Sequence, residues 1–224
     1  MNMEQIVKIN IKLSKENIKK AILRDEVIIF FTRVLEDLER YKSPNFYGRM
    51  KDLFFLFYPY SSLDDTKRIY QELKKSNLLS KEGLFIDEEE ISYLKFFINN
   101  LDSSCKLKGS DGIKEELDKI LAKLIRKYFS NSLLFLEPYL LGKLIAFVGG
   151  IKNLYRKPAS TIQLIGAEKA LFRHMLKGNP SPKYGLIYYS NKIQKSYNKG
   201  KTARQLANKL AISLKQDYFQ KFAR

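Results

Sequence analysis

Cysteine, histidine and tryptophan are nearly missing from this chain. Cys105 and His174 stand alone, and there is no Trp. A single cysteine excludes an internal disulfide and any cysteine-rich zinc module, and a single histidine leaves no histidine pair for a metal. No cofactor and no metal is therefore expected. Long apolar runs are missing as well. Stretches such as Val27 to Phe31 fall far short of the roughly 20 residues that cross a bilayer, so neither an integral membrane protein nor a membrane partner is expected. The opening Met1-Asn2-Met3-Glu4-Gln5 carries no apolar segment of the signal-peptide kind, which makes the cytoplasm the default address. Acids are scarce in one place only. From Tyr155 to Arg224 there are 15 Lys and Arg, against Glu168 and Asp217 alone, within a chain whose formal net charge is +17. A cationic block this dense repels itself unless a polyanion neutralises it, which points to nucleic acid. A lysine-rich solvated surface is the plainer alternative.

What is present is enough for a core. Hydrophobic residues make up 45% of the 224, which excludes a disordered chain and fits one or two domains. Val7, Ile9, Ile11 and Leu13 alternate, which predicts a short strand or extended arm. Every later pattern is helical. Ile18, Ile22, Val27, Phe31, Val34, Leu35 and Leu38 recur at spacings of three and four up to about Tyr41, before the Ser43-Pro44 break. Further helices are predicted over 46–57, 64–78 and 87–99. The segment 113–129 is strongly periodic, with Ile113, Leu117, Ile120, Leu121, Leu124, Ile125 and Tyr128 on one side. Residues 133–148 are almost wholly apolar and read as a helix buried on several faces. The long helices before Tyr41 and after Ile113 suit an antiparallel hairpin of coiled-coil type, or two members of one bundle.

Catalytic patterns are weak. Gly200-Lys201-Thr202 ends like a phosphate-binding loop, but the glycine that motif requires is Lys195 here, and no strand precedes it. Glu88, Glu89 and Glu90 read as the acidic first turn of a helix rather than an acid/base pair. No nucleophile-elbow pattern occurs.

The informative stretch is Pro158 to His174, PASTIQLIGAEKALFRH. Taken as one helix from Pro158, it gathers Leu164, Ile165, Leu171, Phe172, Met175 and Leu176 on an apolar face. Gln163, Gly166, Ala167, Ala170, Arg173 and His174 fall opposite, so small residues flanked by donors face outward. Such a face lets a partner approach the backbone closely and offers groups that bond or stack on bases. It equally suits packing against another helix of the same domain. Glu168 projects among the apolar residues, so a structural role is expected for it, paired with a cation such as Arg204 or Lys209. The last helix, predicted over 201–222, has an apolar stripe of Ala203, Leu206, Ala207, Leu210, Leu214 and Tyr218. Lys201, Arg204, Asn208 and Lys215 lie beside it, as a cationic edge for phosphates or as solvated lysines.

These residues carry a resemblance. The string GAEKALFRH, then Pro182 to Tyr188, Gly200 to Arg204, Lys209 to Ala211 and Asp217 to Phe219, closely resemble the Nop domain, in particular that of archaeal Nop proteins of box C/D ribonucleoproteins. Upstream, Leu35 to Leu38, the helix ending at Phe57-Tyr58-Pro59, and Leu140 to Ile145 are similar more weakly. The resemblance implies an all-α fold: a coiled-coil helical region over 24–131, mediating dimerisation with itself or another Nop-type subunit, then a compact helical Nop domain over 132–224, after an N-terminal arm over 1–23. It implies a non-catalytic scaffold of an RNP that guides RNA 2′-O-methylation. Such a scaffold binds kink-turn RNA, as in box C/D guide RNA, together with a small ribosomal-protein-like kink-turn binder. The family's RNA and protein contacts, carried over, fall on Gln163, Gly166, Ala167, Lys169, Arg173, His174 and Lys183. Glu168 belongs to the motif although its helical position turns it inward. Two departures stand out. The family's fibrillarin-holding domain precedes the coiled coil, and only a short stretch stands there in this chain. That domain is therefore expected to be absent, removed or supplied by another polypeptide, with fibrillarin, the methyltransferase, joined only indirectly. A family histidine in the Pro-Lys-x-Gly loop is Tyr184 here, which keeps a stacking ring. The alternatives are a splicing-type Nop protein on another kink-turn RNA, and a catalytic RNA-modifying protein.

Overall fold

A computed structural model describes residues 25–41 and 110–221 continuously, together with 5–7, 9, 10, 13, 48, 49, 51, 52, 54, 68, 69, 71, 89 and 92–99. The described elements are all helices, and no strand occurs among the described residues. The chain is therefore all-α. Gln5 to Val7, Ile9, Asn10 and Leu13 are helical too, which corrects the expected strand or arm. Alternating β-branched residues need a neighbouring strand to complete their backbone hydrogen bonds, whereas a helix satisfies them within one segment. Cys105, the turn at Ser43-Pro44 and the helix end at Pro59 lie outside the described residues.

Two units divide the chain, 1–30 with 34–115, and 31–33 with 116–224. In the first, helix α1 (Asp25–Tyr41) buries Val27, Ile28, Ile29, Phe30, Val34, Leu35 and Leu38, and the described core includes Phe54, Ile69, Leu94, Phe97 and Ile98. Phe30 and Phe97 meet edge to face at 5.2 Å, a geometry favoured by the ring quadrupoles. Arg49 clamps Asp37 through both Nε (2.6 Å) and Nη2 (3.2 Å). That bidentate bond holds the guanidinium above its ordinary pKa. Lys114 reaches Glu39 at 3.6 Å.

The second unit starts from the end of α2 (Ser110–Tyr128), whose Leu117, Ile120, Leu121, Leu124, Ile125 and Tyr128 are buried at the predicted spacing. The apolar run after it is not one helix. Ser132–Leu134 is a 3-10 turn, and α3 begins only at Pro138, running to Val148. Proline has no N–H to donate and its ring clashes inside a helix, so it opens one instead. Leu140, Leu141, Leu144 and Ile145 go inward while Phe147 is exposed. Gly142 admits the side chain of Thr32, since a Cβ there would stand 2.5 Å from Thr32 Oγ1. Gly149 (φ 76°) ends α3 in the left-handed conformation that glycine adopts without strain. Short helices follow: α4 (Ile151–Leu154), α5 (Ala159–Leu164), α6 (Glu168–Lys177) and α7 (Asn191–Gln194). The long α8 (Lys199–Lys221) closes the unit. It buries Ala203, Leu206, Ala207, Leu210 and Leu214, as its stripe predicts, chiefly against α5. Asn198 caps it, its Oδ1 accepting the Lys201 N–H at 3.1 Å.

Candidate nucleic-acid interface

The expected helix from Pro158 through His174 is broken at its centre. Gly166 adopts φ 86°, a conformation that strains any residue with a Cβ. The cause lies in the following loop. Gln163 O accepts the Gly185 N–H (2.8 Å) and Ile165 O accepts the Leu186 N–H (2.6 Å), so two carbonyls that would have continued the helical ladder are taken by 185–186. The Gln163 side chain adds a third tie, its Nε2 donating to Lys183 O at 2.6 Å. Gln163, expected as a base-facing donor, thus commits its amide N–H to positioning the lysine-bearing loop. Gly185 is where chain passes against chain: a Cβ there would stand 1.9 Å from Ile165 O.

The break changes what Glu168 does. It sits half-buried in the first turn of α6, and its Oε1 accepts the Gly166 N–H at 2.9 Å. The expected inward carboxylate paired with Arg204 or Lys209 is corrected, since the group Glu168 meets is the Gly166 N–H. The expectation assumed one helical phase through a point where the phase resets. Arg204 is exposed on α8, and Lys209 Nζ lies over the Phe135 ring at 5.6 Å. An acid at a helix start also meets the positive end of the helix dipole.

The apolar face is corrected for the same reason. Ile162 and Ile165 are buried and Leu171 is half-buried, but α6 buries no side chain fully, and Phe172, Met175 and Leu176 are 58%, 62% and 81% exposed. The helix therefore turns outward three uncovered apolar groups together with exposed Lys169 and Arg173. Arg173 Nε donates to Lys169 O one turn back, at 3.2 Å. His174 is half-buried, and its Nδ1 hydrogen-bonds with Asn179 O, tying the end of α6 to the turn beyond it. Ala167 is half-buried and Gly166 is exposed.

Beside α6 the loop carries Lys183 and Tyr184. Lys183 is exposed and runs past Gly200, where a Cβ would stand 3.7 Å from its Cδ, so the loop lies against the start of α8 and near exposed Lys201. Tyr184 stacks on Tyr188 at 4.5 Å and 16°. Lys199 Nζ donates to Tyr188 Oη at 3.3 Å, a bond that holds this phenol below its usual pKa. Tyr188 and Lys199 were missed in the sequence. Only the loop's return onto α8 joins them to Tyr184, and no residue spacing encodes that return. Lys201, Arg204 and Lys215 are all exposed on α8. At about 1.5 Å of rise per residue, Lys215 lies roughly 20 Å beyond Lys201, so it is not part of the cluster around Lys183.

Gly166→Ala is expected to destabilise the second unit by about 1–2 kcal/mol, from the left-handed backbone and a Cβ only 2.6 Å from Leu186 Cγ. A lowered thermal midpoint by circular dichroism checks this, and an unchanged midpoint contradicts it.

Among the described residues no three His, Cys, Asp or Glu gather as metal ligands, and no helix is long and apolar enough to cross a membrane. The second unit is thus a helical domain with an outward helix of cations and exposed apolar groups beside a lysine- and tyrosine-bearing loop. The Nop family model, described as a snoRNA binding domain, fibrillarin, matches residues 61–223. An uncharacterised NOP5 family protein of Methanocaldococcus jannaschii is 32% identical over 232 residues, covering 92% of this chain and 56% of that protein. Nucleolar protein 58 of Schizosaccharomyces pombe is 30% identical over 221 residues, covering 86% and 42%. The same-named protein of Neurospora crassa is 34% identical over 143 residues, covering 62% and 23%. The chain thus spans about half or less of these relatives. It belongs to the Nop family.

Proposed function

We propose that this chain is the non-catalytic scaffold of a box C/D-type ribonucleoprotein that guides RNA 2′-O-methylation. It binds kink-turn RNA together with a small ribosomal-protein-like kink-turn binder. The single observation that carries this is α6, which buries no side chain fully and presents Lys169 and Arg173 beside Phe172, Met175 and Leu176. Cations without apolar neighbours suit RNA alone, and apolar groups without cations suit protein alone. The two on one short helix suit a composite surface of both. Lys169, Arg173, Lys183, Lys201 and Arg204 take phosphates, Gly166 and Ala167 allow close approach, and the apolar trio faces the small protein. Gln163, Glu168 and His174 hold the helix and loop in place. Lys215 contacts RNA further along α8.

The remaining assignments belong to the same proposal. Residues 1–23 form an N-terminal connector, residues 24–131 a coiled-coil region that pairs with itself or another Nop-type subunit, and residues 132–224 the Nop domain. Methyl transfer lies in fibrillarin, the partner methyltransferase of such a particle. The address follows the particle: the cytoplasm, or the nucleolus that names the fungal relatives.

Gel shifts of guide RNA with an intact kink-turn, with and without the small kink-turn binder, test this. Tight binding is expected only with both present. Lys169→Ala and Arg173→Ala each weaken assembly by about 1–3 kcal/mol, and affinity falls steeply as salt rises because phosphate contacts release counterions. Equal assembly by the wild type and the double variant overturns the proposal.

A further inference from the structure

The far end of α8 carries a second set of groups that, Lys215 apart, the proposed function does not use. Tyr155, just past α4, stacks on Tyr218 with ring centroids 3.8 Å apart and planes 10° from parallel. Phe219 meets both edge-on, at 5.9 Å from Tyr155 and 5.5 Å from Tyr218, and is itself 62% exposed. Arg156 Nε donates to Tyr155 Oη at 3.2 Å and its guanidinium carbon lies 5.6 Å from the Tyr155 ring centroid. That bond, helped by the charge of Lys152, holds the Tyr155 phenol below its usual pKa. Lys152, Arg156, Lys157 and Lys215 are all exposed. Lys215 stands four residues before Phe219, one helical turn away on the same face.

The charge of this patch is one-sided for a structural reason. Between Tyr155 and Arg224 the only acids are Glu168 and Asp217. Asp217, the neighbour of Tyr218, is fully buried and bonded to Asn131 and Ser132. Its carboxylate points away from the surface, and Glu168 is committed to Gly166. The rings are therefore held in fixed relative geometry, one is widely exposed, and the surrounding charge is positive. A ring face amid cations matches an unpaired nucleic-acid strand, whose bases stack and whose phosphates are neutralised. An acidic protein partner would meet the cations but has no use for the stacked tyrosines, and a bare apolar partner would bury the cations unpaired.

We propose that Tyr155, Tyr218 and Phe219, with Lys152, Arg156 and Lys215, form a second RNA-binding surface that takes an unpaired strand, with a base stacked against Phe219. At about 1.5 Å per residue along α8, this surface lies roughly 27 Å from Lys201. A kink-turn seated at α6 and a single strand running to the end of α8 would then occupy separate places on one domain. This surface does not depend on how α6 is used.

Fluorescence anisotropy of the full chain with a labelled oligouridylate of about 12 nucleotides tests it. Phe219→Ala and Arg156→Ala are each expected to weaken binding about 5- to 10-fold, with the thermal midpoint unchanged because both side chains are exposed. Crosslinking at 254 nm should map uridine to peptides containing Tyr155 or Phe219. Wild-type affinity in both variants, or crosslinks found only outside these peptides, overturns the proposal. A second comparison separates it from the α6 reading. A minimal kink-turn RNA should assemble normally with Phe219→Ala, whereas an unpaired extension on that RNA should raise affinity only in the wild type. An equal gain in both proteins rejects the second surface and leaves the α6 reading standing.

Discussion

Replacing Asp217 by alanine should unfold much of the second unit at temperatures the native chain withstands. Its carboxylate is fully buried and accepts four hydrogen bonds. Oδ1 takes the Asn131 N–H (3.0 Å) and Asn131 Nδ2 (2.8 Å), and Oδ2 takes the Ser132 N–H (2.9 Å) and Ser132 Oγ (2.6 Å). The turn after α2 is thereby fastened to α8 across a separation of 85 residues or more. Truncation leaves two backbone N–H groups and the buried Ser132 hydroxyl without an acceptor. Each orphan costs about 1–3 kcal/mol, so a loss of about 3–5 kcal/mol is expected after partial relaxation. In a domain of ordinary stability that is a third or more of the total, and the thermal midpoint should drop by on the order of 10 °C. Urea unfolding followed by circular dichroism measures it. Asp217→Asn keeps the shape and one acceptor but aims an amide donor at donors, so it should fall between wild type and alanine. A loss under about 1 kcal/mol for Asp217→Ala would falsify the view that this carboxylate holds the turn.

Gly185→Ala should have the next largest effect, and it reaches the proposed RNA surface directly. The added Cβ would stand 1.9 Å from Ile165 O, 2.7 Å from Ile165 C and 2.8 Å from Leu164 C. These are backbone atoms and cannot rotate aside. The loop must lift from α5, which breaks the 2.8 Å and 2.6 Å bonds that 185 and 186 donate to Gln163 and Ile165. An overpacked contact together with two lost backbone bonds amounts to about 2–4 kcal/mol. Hydrogen exchange at 185 and 186 should accelerate strongly, read by mass spectrometry on the peptide that contains them. Assembly with kink-turn RNA and its small binder should weaken more than for Lys183→Ala alone, because the whole loop with Lys183 and Tyr184 leaves its position. Native protection of both amides in the variant is the result that contradicts this.

The contrast between these two positions shows what the sequence made legible. The helices of the second unit were readable because their apolar residues repeat at three and four: Leu117 to Tyr128, and Ala203 to Leu214. Gly185 was readable only as part of a resemblance, since its need for a bare Cα arises from Ile165, twenty residues earlier. Asp217 was counted as one of two acids in a cationic block, and its burial could not be seen because its partners Asn131 and Ser132 are far away in the chain. The outward-facing side of Pro158 to His174 was assembled by carrying one helical phase across Gly166. Lys169 and Arg173 are nonetheless exposed, and so are Phe172, Met175 and Leu176 beside them, because α6 as a whole turns most of its surface outward. Glu168 and the apolar trio are misjudged because a phase carried over from residues before the break assigns them an inward side. Val7 to Leu13 fails differently: alternation is a sound strand signal only where another strand exists to receive it.

The bare apolar groups of α6 also bear on the order in which a particle could be put together. In a chain of net charge +17, the cations beside Phe172, Met175 and Leu176 discourage a second copy from seating on these exposed apolar groups. Nucleic acid bound at α6, as proposed, would remove that repulsion where the exposed apolar groups lie. RNA and companion protein arriving as one unit would therefore neutralise the cations and cover the apolar groups in a single step, whereas either alone would meet only half of the patch.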